Sequence, residues 1–289
     1  MFEALKTFYE QKYKALMIIP FLILLLAFAQ IGVQYAQTGE FMHRGVSLKG
    51  GLSVALPHHF MPPEQLETLL SEKFPQGDIS VRSIADTGLI IDASDVSQEE
   101  LLSALESQFG ALGDYNIGEI GSSLGESFFK ETFFSLLIAF LLMSLVVFIT
   151  FRSPIPSLAV ILAAFSDIVV TLAIINVLGI KISSAGIAAF LMLIGYSVDT
   201  DILLSTRVLK QKEGTVMDRI YSSIKTGLSM TATTVTALIA GLFFSNSDTI
   251  LQIMLILLIG LIADLPMTWI QNTGILRWYL ERKGAQKNE

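Results

Sequence analysis

Four aspartates stand inside long apolar runs: Asp167, Asp199, Asp201 and Asp264. An ionised Asp at mid-bilayer costs at least about 2.5–3.5 kcal/mol, so each needs a partner, water or a proton. The chemistry open to such residues is proton relay. Asp167 is central in its run. Asp199 and Asp264 each lie about four residues toward one end of theirs, roughly 6 Å at helical rise, so they can meet at one depth. Asp199 and Asp201 are two apart, about 200° around a helix, and face different neighbours. Asp199 shares a face with Met192, Gly195 and Tyr196, and Asp201 with Ser197 and Ser205. No Lys or Arg sits deep in any run; Arg207 and Lys225, at the run ends, are the nearest basic partners. Asp199 leads the relay candidates, followed by Asp264 and Asp167. Asp201, beside two serines, reads better as a residue that hydrogen-bonds a hydroxyl and holds helices together. That bland role is the alternative for all four, with Ser229, Thr231, Thr233, Thr234 and Thr236 as a hydroxyl source.

Other chemistry finds little support. The chain has no cysteine and three histidines, His43, His58 and His59. Disulfides, thiol catalysis and Cys-ligated metals are excluded, and a His-built metal site has too few ligands. No P-loop, G-x-S-x-G, H-E-x-x-H or dinucleotide fingerprint occurs, so neither ATP hydrolysis nor a cofactor is expected. The formal charge of −7 argues against nucleic acid. The chain reads as no enzyme. An intramembrane aspartyl protease would need a G-x-G-D loop, which Ser166-Asp167 and Gly195-Tyr196-Ser197-Val198-Asp199 do not form.

The elements that must position the aspartates are membrane spans. The 289 residues are 52% hydrophobic and 16% charged, with a mean hydropathy of +0.62. Apolar runs cover residues 15–36, 132–151, 157–178, 184–206, 227–245 and 249–271. Each is about 19–23 residues, enough to cross a hydrocarbon core as a helix. The organisation expected is a terminal segment 1–14, one span, a polar domain over 37–131, a five-span bundle over 132–271 and a tail 272–289. The first run is long for a signal peptide and lacks a good cleavage site, so it reads as an uncleaved anchor. With both termini in the cytoplasm, thirteen Lys and Arg lie inside against six outside, which places residues 37–131 outside a cell membrane. Tyr13, Trp269, Trp278 and Tyr279 suit an interfacial aromatic belt. Gly186, Ala188, Ala189 and Gly195, then Ala237, Ala240 and Gly241, allow close helix contact. Pro266 predicts a break in the last span's hydrogen-bond ladder.

The outer segment reads as α+β. Residues 51–56 form a strand and 62–74 a helix opened by Pro62-Pro63. Residues 79–84 and 89–92 form a hairpin around Asp86-Thr87-Gly88. Asp95 or Ser97 caps a second helix, with Leu101, Leu102, Leu105 and Phe109 on its apolar face and Gly110 and Gly113 at its end. Residues 115–120 are a last strand. The order β-α-β-β-α-β is the ferredoxin-like split pattern. This segment counts fifteen acids against five bases. That is a solvated acidic surface, or else a surface that attracts cationic or unfolded polypeptide.

Three segments taken together resemble the SecF family of the protein-export machinery. They are Gly45-Val46-Ser47-Leu48-Lys49-Gly50-Gly51, Ile120-Gly121-Ser122-Ser123-Leu124-Gly125-Glu126, and Gly195-Tyr196-Ser197-Val198-Asp199-Thr200-Asp201. The resemblance covers nearly the whole chain and looks archaeal. It implies a half of an RND-like twelve-span unit completed by SecD, acting beside a SecY-type channel on translocating polypeptides in the lipid bilayer. It also implies coupling to the proton gradient. Bacterial members read G-Y-S-x-N-D where this chain has Asp199 at the Asn and Thr200 at the Asp. The nearest match to their Arg early in the fifth span is Lys225. The proton role therefore moves to Asp199, with Asp201 and Asp264 as substitutes. Other readings are a subunit of an RND-type lipid or solute exporter, and a passive scaffold for SecD.

Overall fold

The computed structural model describes residues 2–285 except 58–60, 85–87, 111, 113–114, 212 and 246. His58, His59, Asp86, Thr87 and Gly113 lie outside the described residues. The polar segment folds as β1 (Gly51–Leu56), α4 (Pro63–Lys73), β2 (Asp78–Ile84), β3 (Gly88–Ser94), α5 (Gln98–Phe109) and β4 (Asn116–Ile120). The sheet order is β2-β3-β1-β4, and every neighbouring pair is antiparallel. β1 and β2 are therefore parallel with β3 between them, and β3 and β4 are parallel with β1 between them. Two split β-α-β units interleave, as the element order requires. Alternation builds the core: Leu52, Val54 and Leu56 of β1, with Ile79, Val81 and Ile91, bury against Leu66, Leu70, Leu101 and Leu105. Of the two candidate caps for α5, Ser97 is the one used: its hydroxyl accepts from the Glu100 amide at 3.3 Å. Asp95 instead takes φ 60° in the turn before it.

Among the described residues six helices are long and apolar enough to cross a membrane: Tyr9–Thr38, Ser122–Phe151, Pro154–Val177, Ser184–Lys210, Val216–Phe244 and Thr249–Lys283. The first joins α1 (Phe2–Leu16) to α2 (Ile18–Thr38). The next four are α6, α7, α8 and α9. The last joins α10 (Asp248–Pro266), a π turn (Met267–Asn272) and α11 (Thr273–Ala285). The chain is a multi-pass membrane protein. Several helices overrun the apolar runs, because backbone hydrogen bonding continues past the residues that lipid selects. α6 starts at Ser122, and the tail beyond 271 continues as helix. α7, α8 and α10 form the packed centre, with α2 on α7 and α9 on α8 and α10. α6 shows an open apolar face at Leu141, Leu142, Leu145, Val146 and Ile149.

The sheet domain is tied to one end of the bundle. A four-residue helix, α3 (Val46–Lys49), follows Gly45, whose amide donates to Ile182 O at 2.8 Å; the Ile182 amide donates to His43 O at 2.7 Å. Gln252 at the start of α10 donates to Lys181 O at 2.6 Å. Lys181 Nζ reaches Asp78 Oδ1 at 2.6 Å, and Lys49 Nζ lies 3.5 Å from Asp78 Oδ2. Gly50 (φ +88°) and Gly125 let α3 and α6 touch: a Cβ on Gly125 would sit 2.4 Å from Gly50 N.

The opposite end of the bundle brings α1 against α11, and there the aromatic belt is only partly realised. Tyr13 and Trp269 are 8% and 6% exposed. Tyr13 lies under the Arg277 guanidinium at 4.1 Å. The Trp269 ring fills the notch at Gly227. These two rings serve packing within the chain and do not line its outer surface.

Candidate functional site

α7, α8 and α10 bring three of the four aspartates together, Asp167, Asp201 and Asp264 in turn. Asp167, Asp201 and Asp264 are 1%, 0% and 1% exposed. Ser197 Oγ donates to Asp167 Oδ2. Thr268 Oγ1 lies 2.8 Å from Asp264 Oδ1 and 2.9 Å from Asp201 Oδ1. Asn272 Nδ2 donates to Asp201 Oδ1 at 2.7 Å. Thr200 Oγ1, which donates to Ser197 O at 2.8 Å, stands 3.5 Å from Asp264 Oδ2. Ser197 and Thr200 thereby link the Asp167 carboxyl to that of Asp264. Asp167 Oδ1, Asp201 Oδ2 and Asn272 Oδ1 have no donor among the described residues.

Local sequence explains the convergence. Ser197, Asp201 and Ser205 recur every fourth residue, so they form one stripe of α8. Asp264, Thr268 and Asn272 do the same on the facing helix. Four α-helical residues overshoot a full turn by about 40°. The wider π turn after Pro266 takes up that drift and keeps Asn272 aimed at Asp201.

Asp199 is placed elsewhere. It is exposed on the opposite face of α8, beside Tyr196 and Met192, which are 40% and 44% exposed. A Cβ on Gly195 would meet nothing within 4 Å. The 200° step between Asp199 and Asp201 decides this: the Ser-lined stripe turns inward and its neighbour turns out. Asp201, expected as helix glue, sits in the centre of the cluster. The hydroxyls that meet the carboxyls come from Ser197, Thr200 and Thr268. Those expected from α9 do not: Thr233, Thr234 and Thr236 bond their own helix at Ser229 O, Met230 O and Ala232 O. Arg207 Nη1 donates to Ser222 O and Thr226 Oγ1, and Lys225 is exposed. No ion pair among the described residues reaches the cluster. Thr268 and Asn272 were missed in the sequence, though their spacing from Asp264 was the available signal.

The chemistry follows from proton counting. Thr268 has one hydroxyl proton and two carboxyl neighbours. It donates to one; the other contact is a hydrogen bond only when that carboxyl holds a proton and donates it to Oγ1. Such a bridge passes a proton between Asp201 and Asp264 by switching which bond is donated.

The family motif glycines divide into two groups. Gly50, Gly51 and Gly125 are required inside the chain, since a Cβ on any of them would fall under 2.5 Å from backbone. Gly45, Leu48 and Gly121 build the junction around α3, while Gly195 and Tyr196 face outward.

A family profile described as protein-export membrane protein SecD/SecF, C-terminal, matches residues 101–282. The chain is 37% identical to the protein-export membrane protein SecF of Pyrococcus furiosus, over 99% of this chain and 97% of that one. It is 45% identical to that of Methanocaldococcus jannaschii, over 60% of this chain and 64% of the relative. The fold is similar to a crystal structure of SecDF, a translocon-associated membrane protein from Thermus thermophilus. That likeness has a TM-score of 0.71 and 20% identity, and covers 93% of this chain and 38% of the other. The chain thus spans under two-fifths of that longer protein, and the likeness speaks for the fold. Sequence relatives of matching length and the family profile together place it: the chain belongs to the SecF family of protein-export membrane proteins.

Proposed function

We propose that this chain pairs with a SecD subunit beside a SecY-type channel and promotes the export of unfolded polypeptides, using the cluster of Asp167, Asp201 and Asp264 as its proton-binding centre. The observation that carries the reading is the cluster itself. Three carboxyls share one hydroxyl-bridged network in a bundle centre, and no cation among the described residues pairs with them. Glue needs one carboxyl per hydroxyl; three mutually close carboxyls are a costly way to hold helices. Both termini lie inside and the sheet domain outside, in keeping with the distribution of Lys and Arg.

Pairing with SecD is supported by the outward face of α8. An Asp199 carboxyl left against lipid would cost about 2.5–3.5 kcal/mol. A partner helix closing over Gly195 and Tyr196 removes that cost.

The test is depletion of the protein in its host and complementation with Asp167→Asn, Asp201→Asn, Asp264→Asn or Asp199→Asn, followed by maturation of a pulse-labelled secreted precursor. The cluster variants are expected to stall precursor at normal membrane abundance. Export at the wild-type rate in all three would sink the proton reading and favour a passive scaffold.

A further inference from the structure

Three cations collect around one turn at the end of the bundle away from the sheet domain. α6 ends at Arg152, which takes φ 50°, the left-handed conformation that usually falls to Gly at this position. A residue with a Cβ is strained there, so Arg152 is held against its local preference. Its side chain is exposed and has no hydrogen bond or ion pair among the described residues. Lys210, at the end of α8, reaches the same turn: its Nζ donates to Thr150 O at 3.3 Å and lies 5.7 Å from the Phe151 ring centroid. α11 closes the other side. Tyr279 Oη is 3.1 Å from Ser153 Oγ, and Lys283 Nζ stands 5.7 Å from the Tyr279 ring centroid. A fourth cation, Arg282, lies over Trp278 at 4.4 Å on the neighbouring stripe. No carboxylate among the described residues answers these charges. The chain has no Asp or Glu between Glu131 and Asp167, nor between Asp201 and Glu213. Glu281 stands about 200° around α11 from Lys283 and is taken up by Tyr13, Lys14 and Arg277. One turn further into the apolar layer, Phe148, Ile149 and Leu158 are exposed.

We infer that this turn is a binding site for an anionic lipid headgroup, whose phosphate sits among Arg152, Lys210 and Lys283 and whose chains run along the exposed faces of α6 and α7. Level in the bilayer decides the ligand. The turn joins two spans, so it stands where headgroups are, and Trp278 and Tyr279 mark the same level. Charge decides the kind of headgroup. Basic side chains gathered at a span end attract anionic lipid, and each cation adds to the affinity. Arg offers phosphate oxygens a planar fork, and Lys an ammonium with donors to spare. A zwitterionic headgroup brings its own ammonium, which three cations repel. The occupied site ties the ends of α6, α8 and α11 to one phosphate. It does not depend on the proton-binding reading.

The experiment uses the full-length chain co-purified with its partner subunit in a non-ionic detergent. The complex is titrated with phosphatidylglycerol or with phosphatidylcholine. Bound lipid is counted by native mass spectrometry, and melting is followed in parallel. Phosphatidylglycerol is expected to bind in preference and to raise the melting temperature with concentration. Arg152→Gln shifts half-saturation about fivefold, ~1 kcal/mol. Adding Lys210→Gln shifts it about fivefold again, whereas Lys130→Gln, at the sheet-domain end, leaves it unchanged. Arg152→Gly separates binding from folding. Glycine suits the left-handed turn, so this variant melts no lower than wild type without lipid, yet it needs about fivefold more phosphatidylglycerol for the same rise. Equal binding of the two lipids, or phosphatidylglycerol binding untouched by Arg152→Gly with Lys210→Gln, overturns the site. So does an equal rise in melting with inorganic phosphate, which would make the ligand a free anion. Release of the partner subunit from the doubly substituted complex would make the turn a subunit contact and overturn the lipid assignment.

Discussion

Replacing Thr268 by valine probes the centre of the cluster with almost no change in shape. The hydroxyl contacts Asp264 Oδ1 at 2.8 Å and Asp201 Oδ1 at 2.9 Å in a fully buried site. The two carboxyls lose unequally. Asp201 Oδ1 keeps Asn272 Nδ2 at 2.7 Å, while Asp264 Oδ1 relies on Thr268 among the described residues. One buried acceptor is orphaned, which costs about 1–3 kcal/mol in water-soluble folds. Measured side-chain hydrogen bonds between membrane helices average about 0.6 kcal/mol, so the lower half of that range applies. The expected loss is roughly 0.6–2 kcal/mol, read as a lower melting temperature of the detergent-solubilised complex. Thr268→Ser recovers most of it. Proton transfer gives the second readout: Thr268→Val slows export in cells, since the bridge between Asp201 and Asp264 is gone. A double-mutant cycle with Asp201→Asn separates the two effects. If Thr268→Val matches wild type in melting and export, the bridging hydroxyl has neither a structural nor a relay part and the reasoning fails.

Other perturbations follow from the same coordinates. Gly125→Ala drives a methyl to 2.4 Å from Gly50 N, where backbone cannot yield; thermal unfolding should show a loss of about 1–3 kcal/mol. Gly121→Ala, with open space around it, is the matched control and should melt near wild type. At Asp78 burial pushes the carboxyl up, but the hydrogen bond and charge of Lys181, joined by Lys49, outweigh it and hold it below its ordinary range. A depressed folded-state value stabilises above the unfolded one, near pH 4, and that contribution disappears as pH falls through the depressed value. Unfolding of wild type below about pH 4 should therefore show a dependence that Asp78→Asn lacks. Asp199→Leu is expected to leave melting of the isolated chain unchanged and to alter co-purification of the partner subunit.

The sheet domain was legible because its burial alternates strictly: Leu52, Val54 and Leu56 point one way, Ser53 and Ala55 the other. The spans were legible from run length. Which face of a span turns inward was not, because an apolar run is apolar all round. Asp199 drew notice by standing in the Gly195-Tyr196-Ser197 motif, yet the stripe that turned inward was the one already rich in hydroxyls, Ser197, Asp201 and Ser205. Polar residues in a span face protein, and that rule alone ranks Asp201 above Asp199. Asn272 was hidden for a different reason. The apolar run stops at residue 271, and a π turn has no hydropathy signature.

That π turn has a bearing on the chain's arithmetic. It spends one more residue than an α-helix needs to climb the same height. Winding the segment Met267–Asn272 as ordinary helix without losing a residue would turn everything after it by about 100°. Arg277 would leave the Tyr13 ring, and Tyr279 would leave Ser153, its 3.1 Å partner. The surplus residue is an angular adapter. It lets one continuous rod present its carboxyl to the bundle centre at one height and its basic and aromatic clasp to the first helix at another.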